Sequence, residues 1–174
     1  MIIKDYITCE HRPWITYIFI AINILLFVPM LLMSSHERIN TYEVVGVVPE
    51  KLEYTNFFTL FSSLFVHGGF FHLLGNMIFL WIFADNIEDN LGKIRFVLFY
   101  LLCGVCAAGL HIFTNINSDL PMVGASGAIS GMMGAYLMLY PEAKLKFIPV
   151  NLIIFVPEVF EDMRRFSFNI PAYL

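Results

Sequence analysis

Gly124-Ala125-Ser126-Gly127 sets a hydroxyl between glycines where an apolar stretch opens and runs to Tyr140. A second apolar stretch opens with His67-Gly68-Gly69-Phe70-Phe71-His72-Leu73-Leu74-Gly75-Asn76. Polar and ionisable side chains inside an apolar span are costly, so by default they mark a functional site. A serine hydroxyl is a nucleophile once a base stands beside it. His72 and Asn76 are four apart and share one helix face. Both donate hydrogen bonds, and two donors aimed into a bundle suit an anion that forms only in a transition state. The same pair could instead bridge two helices. Ser126 could be incidental on a packing face built from Gly124, Gly127, Gly131 and Gly134, because small residues at this spacing let helices approach closely. The soluble hydrolase elbow, Gly-x-Ser-x-Gly on a strand-to-helix turn, differs from what stands here. A helix beginning at Ser126 would, however, bring free backbone N–H groups to the serine. His67 lies five before His72, which places it off the face shared by His72 and Asn76. That spacing also fails the helical zinc pattern, which needs histidines at i and i+4. No metal and no cofactor is expected.

The elements that must position these residues are membrane spans. The chain has 174 residues, 59% of them hydrophobic and only 14% charged, with a mean hydropathy of +0.74. Soluble domains hold about 45–50% apolar and about 25% charged residues. The reading is an all-α integral membrane helix bundle in a lipid bilayer, with no nucleic-acid partner. Three cysteines do not make a disulfide framework, and Cys103 and Cys106 read as small packing residues inside an apolar run. A span takes about 20 mostly apolar residues. Trp14 to Met33, His72 to Asp89, Ile94 to Phe113 and Val123 to Tyr140 qualify, after a polar tail over residues 1–13. Phe57 to Val66 is too short and reads as a re-entrant or interfacial segment. Phe147 to Val156 is broken by prolines and reads as interfacial, and Ile170 to Leu174 reads as the start of a fifth span. Residues 14–174 form one membrane domain on this reading.

Lys and Arg set the orientation. Lys4 and Arg12 precede the first span, Lys93 and Arg95 separate the second and third, and Lys144 and Lys146 follow the fourth. The N-terminus is therefore expected in the cytoplasm. Ser126 and His72 then share the outer side. A short chain whose N-terminus lacks the features of a transit peptide or a cleaved signal points to a bacterial-type plasma membrane.

His67, His72, Leu73 and Asn76 resemble the second span of the rhomboid family of intramembrane serine proteases. So do Ile87-Glu88-Asp89-Asn90-Leu91-Gly92 with Arg95-Phe96 and Tyr100-Leu101, and Val123-Gly124-Ala125-Ser126-Gly127-Ala128-Ile129-Ser130-Gly131 with Tyr136 and Pro141. The likeness runs from about Trp14 to Leu174. It implies a helical core that cuts other membrane proteins within or next to their transmembrane segments, without cofactor or metal. It assigns Ser126 as the nucleophile. His72, Asn76 and the serine N–H become the oxyanion hole, Gly124 the glycine two before the serine, and His67 a supporting position.

The resemblance also implies a general-base histidine on a sixth span, in an Ala-His-x-Gly-Gly stretch. No histidine follows Ser126; the five present are His11, His36, His67, His72 and His111. His111, near the outer end of the third span, is the only candidate substitute. The expectation is a C-terminally truncated rhomboid with little protease activity of its own. Gly127, Gly131 and Gly134 are expected to have lost a packing helix, which favours poor stability or self-association. The competing reading is a non-catalytic, rhomboid-like binder of transmembrane clients. A channel or transporter lined by His72 and Asn76 is disfavoured, because the paired broken helices that mark such sites are missing.

Overall fold

A computed structural model describes residues 9–54 and 57–140. In chain order the elements are α1 (Trp14–Leu32), α2 (Ser35–Val45), a 3-10 turn over Pro49–Tyr54, the short α3 (Thr59–Ser62), a second 3-10 turn over Ser63–Phe65, α4 (Phe70–Leu91), α5 (Lys93–Thr114) and α6 (Ser126–Leu139). Three of these, α1, α4 and α5, are long and apolar enough to cross a membrane. The described residues form an all-helical membrane bundle, with one isolated antiparallel bridge between Val47 and Met122. The segments expected at Phe147 to Val156 and Ile170 to Leu174, with Lys144 and Lys146, lie outside the described residues.

The first three expected spans agree with α1, α4 and α5 to within about two residues. The fourth does not. α6 has 14 residues, about 21 Å at 1.5 Å per residue, against a hydrocarbon thickness of about 30 Å. The helix begins at Ser126 rather than Val123 because Gly124 sits at φ +119° and its N–H donates to Ser63 O at 2.8 Å, outside any helix. The polar stretch after α1 also holds a helix. Ser34 and Glu37 form a reciprocal capping box, with Ser34 Oγ accepting from the Glu37 N–H and the Glu37 carboxylate accepting from the Ser34 N–H. Two donors that a helix start leaves orphaned are satisfied in this way.

One end of the bundle is tied by two adjacent carboxylates. Pro13 precedes α1 and gives its first turn no side-chain cap. Glu88, from α4, takes that place: its oxygens accept from Ile15 N–H at 2.9 Å, Thr16 N–H at 2.8 Å and Thr16 Oγ1–H at 2.9 Å. A carboxylate at a helix N-terminus also meets the positive end of the helix dipole. Asp89 accepts from Glu10 N–H at 2.7 Å and His11 N–H at 3.0 Å, and His11 Nδ1 lies 2.9 Å from the same carboxylate. The chain then turns from α4 into α5 through Gly92 alone, at φ +75°, a conformation most side chains resist.

Helix contacts inside the bundle are close where residues are small. A Cβ built on Gly127 would collide with Ala107, and one on Gly131 with Cys103. α5 and α6 therefore touch nearly backbone to backbone, as small residues permit in membranes. The ring of Phe19 of α1 packs at a tilt against that of Tyr100 of α5, with centroids 4.6 Å apart. Leu64 fills the space over Gly104, where a Cβ would lie 2.5 Å from Leu64 Cδ1.

Candidate active site

The approach to α4 carries the first site residues. His67 is fully buried just before the helix, and its ring meets that of His72 edge to face, with centroids 5.2 Å apart. The sequence reading that set His67 apart from His72 is thus corrected. Helical spacing separates residues five apart only while both are helical, and α4 starts at Phe70.

His72 is held between two glycines. A Cβ on Gly68 would lie 3.9 Å from His72 Nδ1, and one on Gly124 only 2.7 Å from both Cε1 and Nε2. Any larger side chain at Gly124 would displace the ring. The positive φ at the same residue makes the position doubly selective for glycine. The Gly124 N–H bond to Ser63 O fixes the turn from behind. Asn76, one turn further along α4, is buried and donates from Nδ2 to His72 O at 2.9 Å. An amide carries two N–H donors, so this bond leaves one in hand.

Ser126 opens α6 and is exposed. Its depth follows from its neighbour. Gly127 abuts Ala107, which lies seven residues before the end of α5 at Thr114, about 10 Å down the axis at 1.5 Å per residue. The serine is sunk below the rim of the bundle while its own face stays open. α6 in fact has two small-residue faces. Gly127 and Gly131 are used against α5, whereas Ser126 and Ser130 are exposed and a Cβ on Gly134 would meet nothing within 4 Å. The expectation that all three glycines lack a packing helix is thereby corrected: Gly127 and Gly131 have one. Ser130 Oγ donates to Ser126 O at 2.8 Å, along the open face.

Chemically, this arrangement is a hydroxyl at a helix N-terminus, where backbone N–H groups lack intrahelical partners. An imidazole edge lies against the glycine two residues before it. The His72 ring meets both His67 and Gly124, Asn76 bonds to the His72 backbone, and Ser126 follows Gly124 by two positions. Sequence reasoning missed Ser63 and Gly68. No spacing rule reaches either, because their roles are backbone and steric.

The family model described as the Rhomboid domain matches residues 54–163. The chain is similar to the Rhomboid protease GluP of Bacillus subtilis, 30% identical over 149 residues that cover 83% of this chain and 29% of that protein. It is similar to the yeast Rhomboid protein 1, mitochondrial, of Saccharomyces cerevisiae, 27% identical over 139 residues covering 78% of this chain and 39% of that one. It also resembles the mouse Presenilin-associated rhomboid-like protein, mitochondrial, at 36% over 92 residues, 51% of this chain and 24% of the relative. The chain thus spans well under half the length of the curated relatives it matches. With the family model covering more than half of its residues, and with the helix order above, the chain belongs to the rhomboid family.

Proposed function

We propose that this chain carries the nucleophile and oxyanion hole of an intramembrane serine endopeptidase acting on transmembrane proteins. The observation that carries the reading is the seat of the His72 ring against Gly124, two residues before a sunken, exposed Ser126 at a helix N-terminus. Ser126 Oγ attacks the scissile carbonyl. The oxyanion so formed takes hydrogen bonds from the His72 ring, the Asn76 amide and the Ser126 N–H. Such preorganised donors act strongly in a water-poor site. Substrates are membrane proteins cut in or beside their spans, and the site opens toward the outer face of a plasma membrane, with the N-terminus in the cytoplasm.

The proton of Ser126 needs an acceptor, and general-base catalysis is typically worth about 10²–10⁴-fold. No histidine follows Ser126 in this sequence. The exposed Ser126–Ser130–Gly134 face is where a helix bearing a base would fit.

The test is labelling of the purified chain by a fluorophosphonate probe, with and without added imidazole as a base in solution. Slow labelling that imidazole accelerates and Ser126→Ala abolishes is the expected result. Labelling indifferent to Ser126→Ala would overturn it. The second reading is a non-catalytic binder of transmembrane clients, which would seat on the exposed Ser126–Ser130–Gly134 face. It predicts no Ser126 labelling even with imidazole, together with retention of a transmembrane peptide.

A further inference from the structure

Outside the residues given roles above, one group of contacts joins the two arms of the site. α2 ends at Val45, and the strap from Gly46 to Val48 behind it is buried. Val47 pairs with Met122 through two backbone bonds, N–H to Met122 O at 3.1 Å and Met122 N–H to Val47 O at 2.8 Å. Beside it, a Cβ on Gly46 would lie 3.0 Å from Val123 Cγ1 and 3.1 Å from Met122 O. The strap therefore presses on the two residues that lead into Gly124. At its near end, Ser62 Oγ donates to Val45 O at 2.7 Å, and Ser62 adjoins Ser63, whose carbonyl holds Gly124.

The other arm is reached by one side chain. Tyr42 Oη–H faces the carbonyls of His67 at 3.4 Å and Gly68 at 3.3 Å. These are the residues that lead into α4 and bracket the His72 ring. Partial burial pushes the Tyr42 phenol up from its ordinary value, against a smaller opposing pull from Arg38. The hydroxyl stays a donor throughout the working pH range. One hydroxyl has one proton for two acceptors, so the bond is shared or alternates, and it links α2 by a side chain to the turn before α4.

We propose that Tyr42 is a positioning residue for the oxyanion hole: through α2 and the Gly46–Val48 strap it couples the His67–Gly68 turn to Met122, and so sets the distance between the His72 ring and Gly124. The assignment rests on the function proposed above, but the tie itself can be tested without it. Ser126 takes no direct part. Tyr42 acts through two backbone segments, each carrying one arm of the site.

The experiment compares wild type, Tyr42→Phe and the control Val44→Ala, an exposed neighbour on α2, in the same detergent. Three readouts are taken: ¹⁵N resonances of the His72 ring, amide exchange at Gly124, and the thermal midpoint. Loss of the hydroxyl alone is expected to shift the His72 ring signals and speed Gly124 exchange roughly fivefold, the scale of one net hydrogen bond. The thermal midpoint falls by no more than about 4 °C, the scale of one lost hydrogen bond in a chain of this size. Val44→Ala is expected to match wild type. Unchanged His72 signals and Gly124 exchange in Tyr42→Phe would overturn the proposal. So would a larger midpoint drop with exchange rising equally along all helices, since that is loss of fold rather than of position. Imidazole-assisted labelling of Ser126 is recorded in parallel. If wild type fails to label, the functional reading fails, while the His72 and Gly124 readouts still decide the tie.

Discussion

Both ends of α4 are polar, but they are finished differently. At the C-terminal end the carboxylates are saturated: Glu88 accepts three hydrogen bonds from Ile15 and Thr16, and Asp89 binds the Glu10–His11 strap. At the N-terminal end, bonding capacity is left over. Ser63 Oγ is fully buried with no hydrogen-bond partner among the described residues, Asn76 has spent one donor on its own helix, and two histidine rings meet edge to face. A saturated end holds the fold, whereas an end with donors in reserve can answer a charge that appears later. Buried polar groups are ordinarily paired, so on the proposed function the contrast within one helix separates structural polarity from functional polarity.

Glu88→Ala should produce the largest effect. It removes the acceptor of three bonds at a helix start that has no other cap, so unfolding stability should fall by on the order of 4 kcal/mol. Ser126 labelling per folded molecule should hold steady. Denaturant unfolding in detergent reads the first quantity. Collapse of labelling among molecules that remain folded would break the contrast by showing that the two ends are coupled.

Asn76→Ala inverts the pattern. Imidazole-assisted labelling should fall about 10²-fold, the usual cost of one oxyanion donor. Stability should drop by less than about 1 kcal/mol, as for other hydrogen bonds between polar groups in membranes. A stability loss of several kcal/mol with labelling preserved would move Asn76 to the structural side.

Gly124→Ala tests the hinge between the arms. The positive φ alone penalises an L side chain by roughly 1–2 kcal/mol, and the new methyl would stand where the His72 ring now lies. A stability loss of about 2 kcal/mol with displaced His72 ring resonances is expected. Wild-type His72 spectra in this variant would remove the steric link between histidine and glycine.

The smallest effect concerns α2. Hydrogen bonds from the Ser34 side chain and backbone hold the Glu37 carboxyl below the ordinary carboxylate value. A group whose folded pKa is depressed contributes stability above its unfolded value and loses it as pH falls through the folded one. The first turn of α2 should therefore fray on acidification through the carboxylate range, seen as faster amide exchange at Glu37 and Arg38. Glu37→Gln should flatten that dependence, and an unchanged acid profile in this variant would show that the capping box does not govern the turn.

Much of this was readable beforehand, for reasons that differ by element. Predominantly apolar runs give α1, α4 and α5 directly, because backbone groups in lipid must pair within the segment and only a helix of that length does so. Ser126, His72 and Asn76 stood out as polar residues in such runs. The start of α6 was misplaced because Val123 and Gly124 are apolar enough to extend the run, and only the Ser63 carbonyl holds Gly124 out of the helix. The meeting of His67 with His72 was hidden because it depends on where α4 begins. The tie from Tyr42 was hidden because it joins residues 25 and 26 apart through main-chain carbonyls, which carry no side-chain signature.

The close approach of α5 and α6 has a practical consequence. Cys103 fills the notch left by Gly131, while Cys106, one turn on, is exposed. One helix thus carries a half-buried thiol against α6 and an open one, three residues apart. The ratio of their alkylation rates becomes an internal clock for separation of the two helices, with Cys106 correcting for reagent partition into the detergent or bilayer. A reagent that does reach Cys103 leaves a wedge at the crossing, one turn below Gly127, and so converts a transient opening into a permanent, countable mark.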